Sequence, residues 1–166
     1  MPESDFEMRV REFLAKPPFC YRGLSRGSVD LFCAALTHDS YSNEAADVSE
    51  VAESYERLEF LGDAVLEFIA CEAVYRDSDL NEGAMTDFKQ SIVSNHSISE
   101  KVLSKGLGID GVIRVGGGHR TKHGDAIVEE SMRADSFEAV LAAVYLVFGM
   151  DEARRIAYEI LGICIQ

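Results

Sequence analysis

Glu56, Glu59 and Asp63 lie at i, i+3 and i+7 of a segment, Tyr55 to Leu66, whose apolar residues recur at helical spacing. On a helix these three carboxylates fall within an arc of roughly 60°, one above the other. They repel, and Arg57 is the only basic residue in the segment to offset them. Such crowding becomes useful when a divalent cation binds. A second acidic pair, Asp135 and Glu138, repeats the i, i+3 spacing among apolar residues: Val140, Leu141, Ala143, Val144 and Leu146. Two mostly buried helices packed side by side would merge the acidic faces into one pocket. Oxygen ligands without cysteine or paired histidine suit Mg²⁺ or Mn²⁺ rather than zinc. A site of that kind does phosphoryl chemistry, with the cation activating water and neutralising the leaving oxygen.

These carboxylates need two helices to carry them. Leu58, Leu61, Val65, Phe68 and Ile69 are predicted to face a core along a helix running to about Tyr75. Gly62 inside it costs roughly 1 kcal/mol relative to Ala. A close helix crossing is the simplest compensation. The second central helix is predicted over Ala126 to Phe148, ended by Gly149.

Around these two, Asp5 to Ala15 reads as a first helix stopped by Pro17-Pro18, and Phe19 to Gly27 as a loop. Ser28 is the expected cap of a second helix that ends near Thr37-His38. His38 reads as holding the following loop by hydrogen bonds, in preference to a metal role. Tyr41 to Glu53 is polar and reads as a loop with a mobile tip. Asp77-Ser78-Asp79 ends the long helix, Asn81 to Ala84 makes a turn, and Met85 to Val93 is a further helix. Asn95 is the expected cap of the next, running to about Lys105, and Asp151 that of the last. Val115 to Gly124 is glycine-rich but lacks the Gly-Lys-Ser/Thr ending of a P-loop. It reads either as a plain surface loop or as a basic, adaptable contact for a polyanion. The sum is an all-α chain of about seven helices without a strand pattern or internal repeat.

With 166 residues, 47% of them hydrophobic, one domain with a real core is expected. The prolines, Pro2, Pro17 and Pro18, leave the rest of the chain free to be helical. No apolar run reaches the length of a membrane span, and no signal peptide opens the chain. Cys20, Cys33, Cys71 and Cys164 show no C-x-x-C spacing and read as reduced thiols of a cytoplasmic protein. The net charge of -13 runs against nucleic-acid binding, so RNA affinity is expected to be weak and salt-sensitive. Lys101, Lys105, Arg114, Arg120 and Lys122, with His119 and His123, are the local basic residues.

Glu56-Arg57-Leu58-Glu59-Phe60-Leu61-Gly62-Asp63-Ala64-Val65-Leu66 is similar, residue for residue, to the signature helix of the ribonuclease III family. Ala134-Asp135-Ser136-Phe137-Glu138-Ala139 resembles that family's second acidic motif, and Ala35 to Glu44 its segment upstream of the signature helix. The resemblance runs from about Leu31 to Leu146. It implies the ribonuclease III endonuclease-domain fold and a metal-dependent endoribonuclease in RNA processing, ribosomal RNA included. Double-stranded RNA would be hydrolysed to 5′-phosphate and 3′-hydroxyl ends. It further implies that Glu59, Asp63, Asp135 and Glu138 are the catalytic carboxylates and bind Mg²⁺, with Mn²⁺ as a substitute. Asp63 and Glu138 are then the principal pair. Glu56 matches a further acidic position, structural or RNA-facing, and Glu82 one near the cleavage site. Lys89, His119, Arg120 and Lys122 are the remaining candidates for RNA or cleavage-site contact. No small-molecule cofactor and no membrane enter this reading.

The family resemblance also implies a two-fold homodimer in which the Phe60 ring plugs a partner pocket. From spacing alone, Phe60 reads equally well as a core residue. The expectation is a single catalytic domain over residues 1–166 without a C-terminal double-stranded-RNA-binding domain. Gly117 and His119 stand where the family commonly has a basic and an acidic residue, and Arg133 replaces a residue that is usually apolar. Two other readings compete. One is a catalytically inactive relative that binds RNA or serves structure, against which all the acidic residues are kept. The other is a di-metal oxidase bundle, which needs Glu-x-x-His pairs, and no histidine here lies three residues after a glutamate.

Overall fold

A computed structural model describes residues 4–47, 52–77 and 79–163. Among them are eight α-helices: α1 (Asp5–Leu14), α2 (Arg26–Ala35), α3 (Asp39–Asp47), α4 (Glu56–Asp77), α5 (Glu82–Val93), α6 (Asn95–Ser104), α7 (Glu130–Phe148) and α8 (Met150–Leu161). Two 3₁₀ turns, Ile109–Gly111 and Gly117–His119, lie between α6 and α7. The all-α expectation holds, with one helix more than the seven expected. Ser78, Cys164 and residues 48–51 of the expected loop lie outside the described residues.

The most extensive helix contact is between α4 and α7, the two carriers of the acidic motifs. Residues 132–134 and 136–144 of α7 are all buried, as a helix apolar on every side must be. Leu58, Val65 and Ile69 of α4 face the core as expected, and Leu61 is partly buried against it. Phe68 does not: it is 52% exposed, one helical position round from the buried Ile69. Gly62 sits at the crossing, where a Cβ would overlap the main-chain carbonyl of Glu138. The glycine's conformational cost is therefore offset by the closeness of α4 to α7.

Several boundaries differ from the sequence expectation for local reasons. Ser25, not Ser28, caps α2, accepting from the Ser28 amide at 3.1 Å. Asn81 caps α5, so Glu82 to Ala84 form its first turn rather than a separate one. Ser94 caps α6 one residue ahead of Asn95, and Gly149 precedes α8, putting Asp151 in the first turn. Residues 126–129 are not helical: Ala126 forms an antiparallel bridge with Arg120, and α7 starts only at Glu130.

The largest correction is α3, which occupies the segment expected to be loop. It has almost no apolar periodicity; its polar side chains bind the glycine loop instead. Ser40 Oγ accepts from the Gly116 amide at 3.0 Å, and the Glu44 carboxylate accepts from the Gly117 amide at 2.8 Å. A Cβ on Gly116 would collide with Glu44 and the Ser40 carbonyl. These contacts span more than seventy residues of chain, which is why helical periodicity did not announce the element.

Arg133, at a position expected to be apolar, is buried and fully engaged. Its guanidinium donates to both Asp110 oxygens, at 2.7 and 2.6 Å, and to Ser99 Oγ at 2.7 Å. This fork–fork pair ties the N-terminal part of α7 to the Ile109–Gly111 turn and to α6. Arg154 likewise ties α8 to Glu72 of α4 at 2.7 Å.

Candidate active site

Glu59, Asp135 and Glu138 each present a carboxylate oxygen within 4.8 Å of the others. α4 supplies the first and α7 the other two, brought together by the crossing at Gly62. Asp63, one helical turn beyond Glu59, is exposed and lies outside that tightest group. Its charge nevertheless acts on both Glu59 and Glu138. Of the four expected carboxylates, three therefore converge, and Asp63 lies outside their group.

The electrostatics are those of an unneutralised cluster. Burial pushes the Glu138 carboxyl up to about 8, and the charges of Asp63, Asp135, Glu59 and Glu67 push the same way. Burial also raises Glu59, with Asp135, Asp63 and Glu56 adding to it. Asp135 is raised by burial against the opposing hydrogen bond from Tyr55 and the nearby His38. Among the described residues no hydrogen bond or ion pair reaches the Glu138 carboxylate. Three oxygen donors converging without a basic partner fit a hard divalent cation, Mg²⁺ or Mn²⁺, completed by water.

Other expected site residues are placed less directly. Glu56 is exposed at the start of α4, accepting from Ser54 Oγ at 3.1 Å, and its charge reaches Glu59 and His38. Glu82 opens α5 and lines a groove with Phe68, Cys71, Tyr75 and Met85, apart from the carboxylate group. Lys89 pairs with Glu67 at 2.9 Å. Arg120 is exposed, but its guanidinium donates to the carbonyls of Val115 and Gly124, so it shapes the glycine loop. Lys122 is exposed at the loop's tip, while His119 lies edge-on to His38 with centroids 5.0 Å apart. His38 Nδ1 accepts from the Ser40 amide at 3.2 Å, so the hydrogen bonding expected of it holds the first turn of α3 rather than a loop. Phe60 is 80% exposed and is not a core residue.

Two neighbours were not singled out by the sequence. Glu67 continues the acidic face one turn past Asp63, and extending the same i, i+4 count would have found it. Tyr55 directs its hydroxyl at Asp135 Oδ2, 3.5 Å away, across a separation of eighty residues that carries no local signal.

The model of the ribonuclease-III-like family matches residues 28–162, a span that includes both acidic motifs and the crossing between them. The chain belongs to the ribonuclease III family. Relatives named ribonuclease 3 include that of Thermobifida fusca, 34% identical over 132 residues, 79% of this chain and 52% of the relative. That of Symbiobacterium thermophilum is 36% identical over 137 residues, 82% of this chain and 54% of the relative. This chain thus spans about half the length of the curated ribonuclease III relatives it matches. The fold is that of the ribonuclease III nuclease domain from Campylobacter jejuni, at a TM-score of 0.68 and 24% identity, covering 94% of this chain and 93% of that one. That structure is described as having a flexible region involved in dimer formation.

Proposed function

We propose that this chain is a divalent-cation-dependent endoribonuclease that hydrolyses double-stranded RNA to 5′-phosphate and 3′-hydroxyl ends. The observation that carries the reading is the meeting of Glu59, Asp135 and Glu138 within 4.8 Å, with Asp63 beside them. A Mg²⁺ or Mn²⁺ ion held there would supply positive charge to acidify water and offset charge developing on the scissile phosphate. Glu59, Asp135 and Glu138 hold the ion. Burial favours the neutral form of Glu138, and a cation held there would favour release of its proton. Asp63 is exposed at the edge of this group.

Double-stranded RNA is recognised by shape, phosphates and 2′-hydroxyls, so weak sequence preference is expected. With a net charge of -13, binding by this chain is expected to be salt-sensitive. The cytoplasm and RNA processing, including ribosomal RNA, are the setting proposed on the family's account.

We also propose a two-fold homodimer. Phe60, Phe68 and Tyr75 are 80%, 52% and 77% exposed, and their spacing of eight and seven residues puts them along one face of α4. That stripe is about 22 Å long at 1.5 Å per residue. An unpartnered aromatic stripe of this kind marks a protein interface. Antiparallel pairing of two α4 helices about Phe68 brings the Phe60 ring of each copy to the Tyr75 end of the other. The groove between α4 and α5, about 620 Å³ and lined by Phe68, Cys71, Tyr75 and Met85, receives it there.

The activity is tested by incubating the protein with long duplex RNA in Mg²⁺ or EDTA, beside Asp63→Asn and Glu138→Gln variants. Cleavage only with Mg²⁺, lost in both variants, is the expected result. Products should be degraded by a 5′-phosphate-dependent exonuclease. Cutting in EDTA, or full activity in the variants, contradicts the mechanism. An intact duplex under every condition favours the inactive, RNA-binding reading.

A further inference from the structure

Tyr55 touches both halves of the acidic cluster. It immediately precedes α4 and is 6% exposed. Its amide donates to the Thr37 carbonyl at 2.9 Å, and its own carbonyl accepts from the Glu59 amide at 2.8 Å. The main chain of Tyr55 therefore sets the first turn of α4, the turn that ends on Glu59. Its side chain crosses to the other helix, where the hydroxyl donates to Asp135 Oδ2 at 3.5 Å.

The ring is held in place from behind. His38 lies edge-on to it with centroids 5.5 Å apart. His38 is itself fixed by its amide on the Arg114 carbonyl, 2.9 Å, and by the Ser40 amide on Nδ1, 3.2 Å. A tyrosine phenol is protonated at neutral pH, so it acts as the donor in this bond. A donor on one oxygen of a carboxylate sets its plane, and hence where the other oxygen points. Such bonds are commonly long in the empty site and shorten when the ligand arrives.

We infer that Tyr55 is a positioning residue for the cation site, its phenol orienting Asp135 of α7 while its main chain orients Glu59 of α4. This rests on the reading of the cluster as a divalent-cation site. Removing a hydrogen bond from a metal-ligating group typically weakens binding by about 10- to 100-fold. A residue that merely fills space loses nothing when Phe replaces it.

The test is titration of Mn²⁺ into the wild-type chain and the Tyr55→Phe variant by calorimetry, with melting curves in EDTA. Tyr55→Phe should bind Mn²⁺ at least about tenfold more weakly while melting in EDTA close to wild type. With duplex RNA, kcat should fall at limiting Mn²⁺ and recover at saturating Mn²⁺, leaving KM unchanged. In an Asp135→Asn background, Tyr55→Phe should cause no further loss of Mn²⁺ affinity. Equal Mn²⁺ affinity in wild type and Tyr55→Phe overturns the inference and leaves the cation site standing. Additive losses with Asp135→Asn overturn it too, because the phenol then acts elsewhere. A wild-type chain that binds no Mn²⁺ overturns the cation site itself, and the role of Tyr55 with it.

Discussion

Gly62 of α4 lies directly against the main-chain carbonyl of Glu138 on α7, with no room between them for a methyl group. One contact thus joins the backbone crossing to a buried acidic residue of the site. Gly62→Ala gains up to about 1 kcal/mol of helix propensity. It must then drive the two helices apart, and overpacking against backbone costs about 1–3 kcal/mol or more. Net destabilisation in urea unfolding, together with weaker Mn²⁺ binding in calorimetry, is the expected outcome. A more stable Gly62→Ala chain would show that the crossing is loose.

The cation-free protein should lose stability as pH rises. Burial and the neighbouring carboxylates raise Glu138 from 4.5 to about 8 in the folded state. The unfolded chain therefore releases this proton first, and the folded form is penalised progressively between pH 4.5 and about 8. Glu59 and Asp135, also raised, act in the same direction. Melting temperatures in EDTA should fall across this window, less steeply in Glu138→Gln, and Mg²⁺ should restore them. A Glu138→Gln chain whose pH dependence parallels wild type would place the carboxyl in a more solvated setting.

Phe60 contributes little to the monomer, since most of its side chain meets solvent. Phe60→Ala should therefore change the unfolding free energy of the monomer by no more than about 0.5 kcal/mol. The same change should weaken self-association at least about tenfold, as truncation of a pocket-filling aromatic anchor does. Sedimentation equilibrium measures the second effect, and unaltered association would move the interface away from α4.

The Arg133–Asp110 pair separates partner loss from charge burial. Asp110→Ala strands a guanidinium that is only 10% exposed, a change that costs about 3–5 kcal/mol. Arg133→Leu leaves behind Asp110, which is 36% exposed and able to hydrate, so the loss should be much smaller. Chemical denaturation of the two variants decides the order. Equal losses would mean that the pair, not the stranded arginine, carries the stability.

Much of this molecule follows from local pattern. The helical spacing of Leu58, Val65 and Ile69, and the i, i+3 acidic pairs at Glu59 and Asp135, are properties of short segments, and they announced α4 and α7 and the acidic faces these carry. Gly62 announced a close crossing for the same reason, because an interior glycine needs compensation. What tertiary packing alone decided are relations between segments. The rotation of α4 against α7 joined Glu59 to Asp135 and Glu138 and left Asp63 at the exposed edge. It also turned Phe60 and Phe68 to solvent, turned Tyr55 onto Asp135, and gave the buried Arg133 its partner in Asp110. Periodicity places a side chain on one face of its own helix, but which neighbour that face meets depends on the packing of the whole chain.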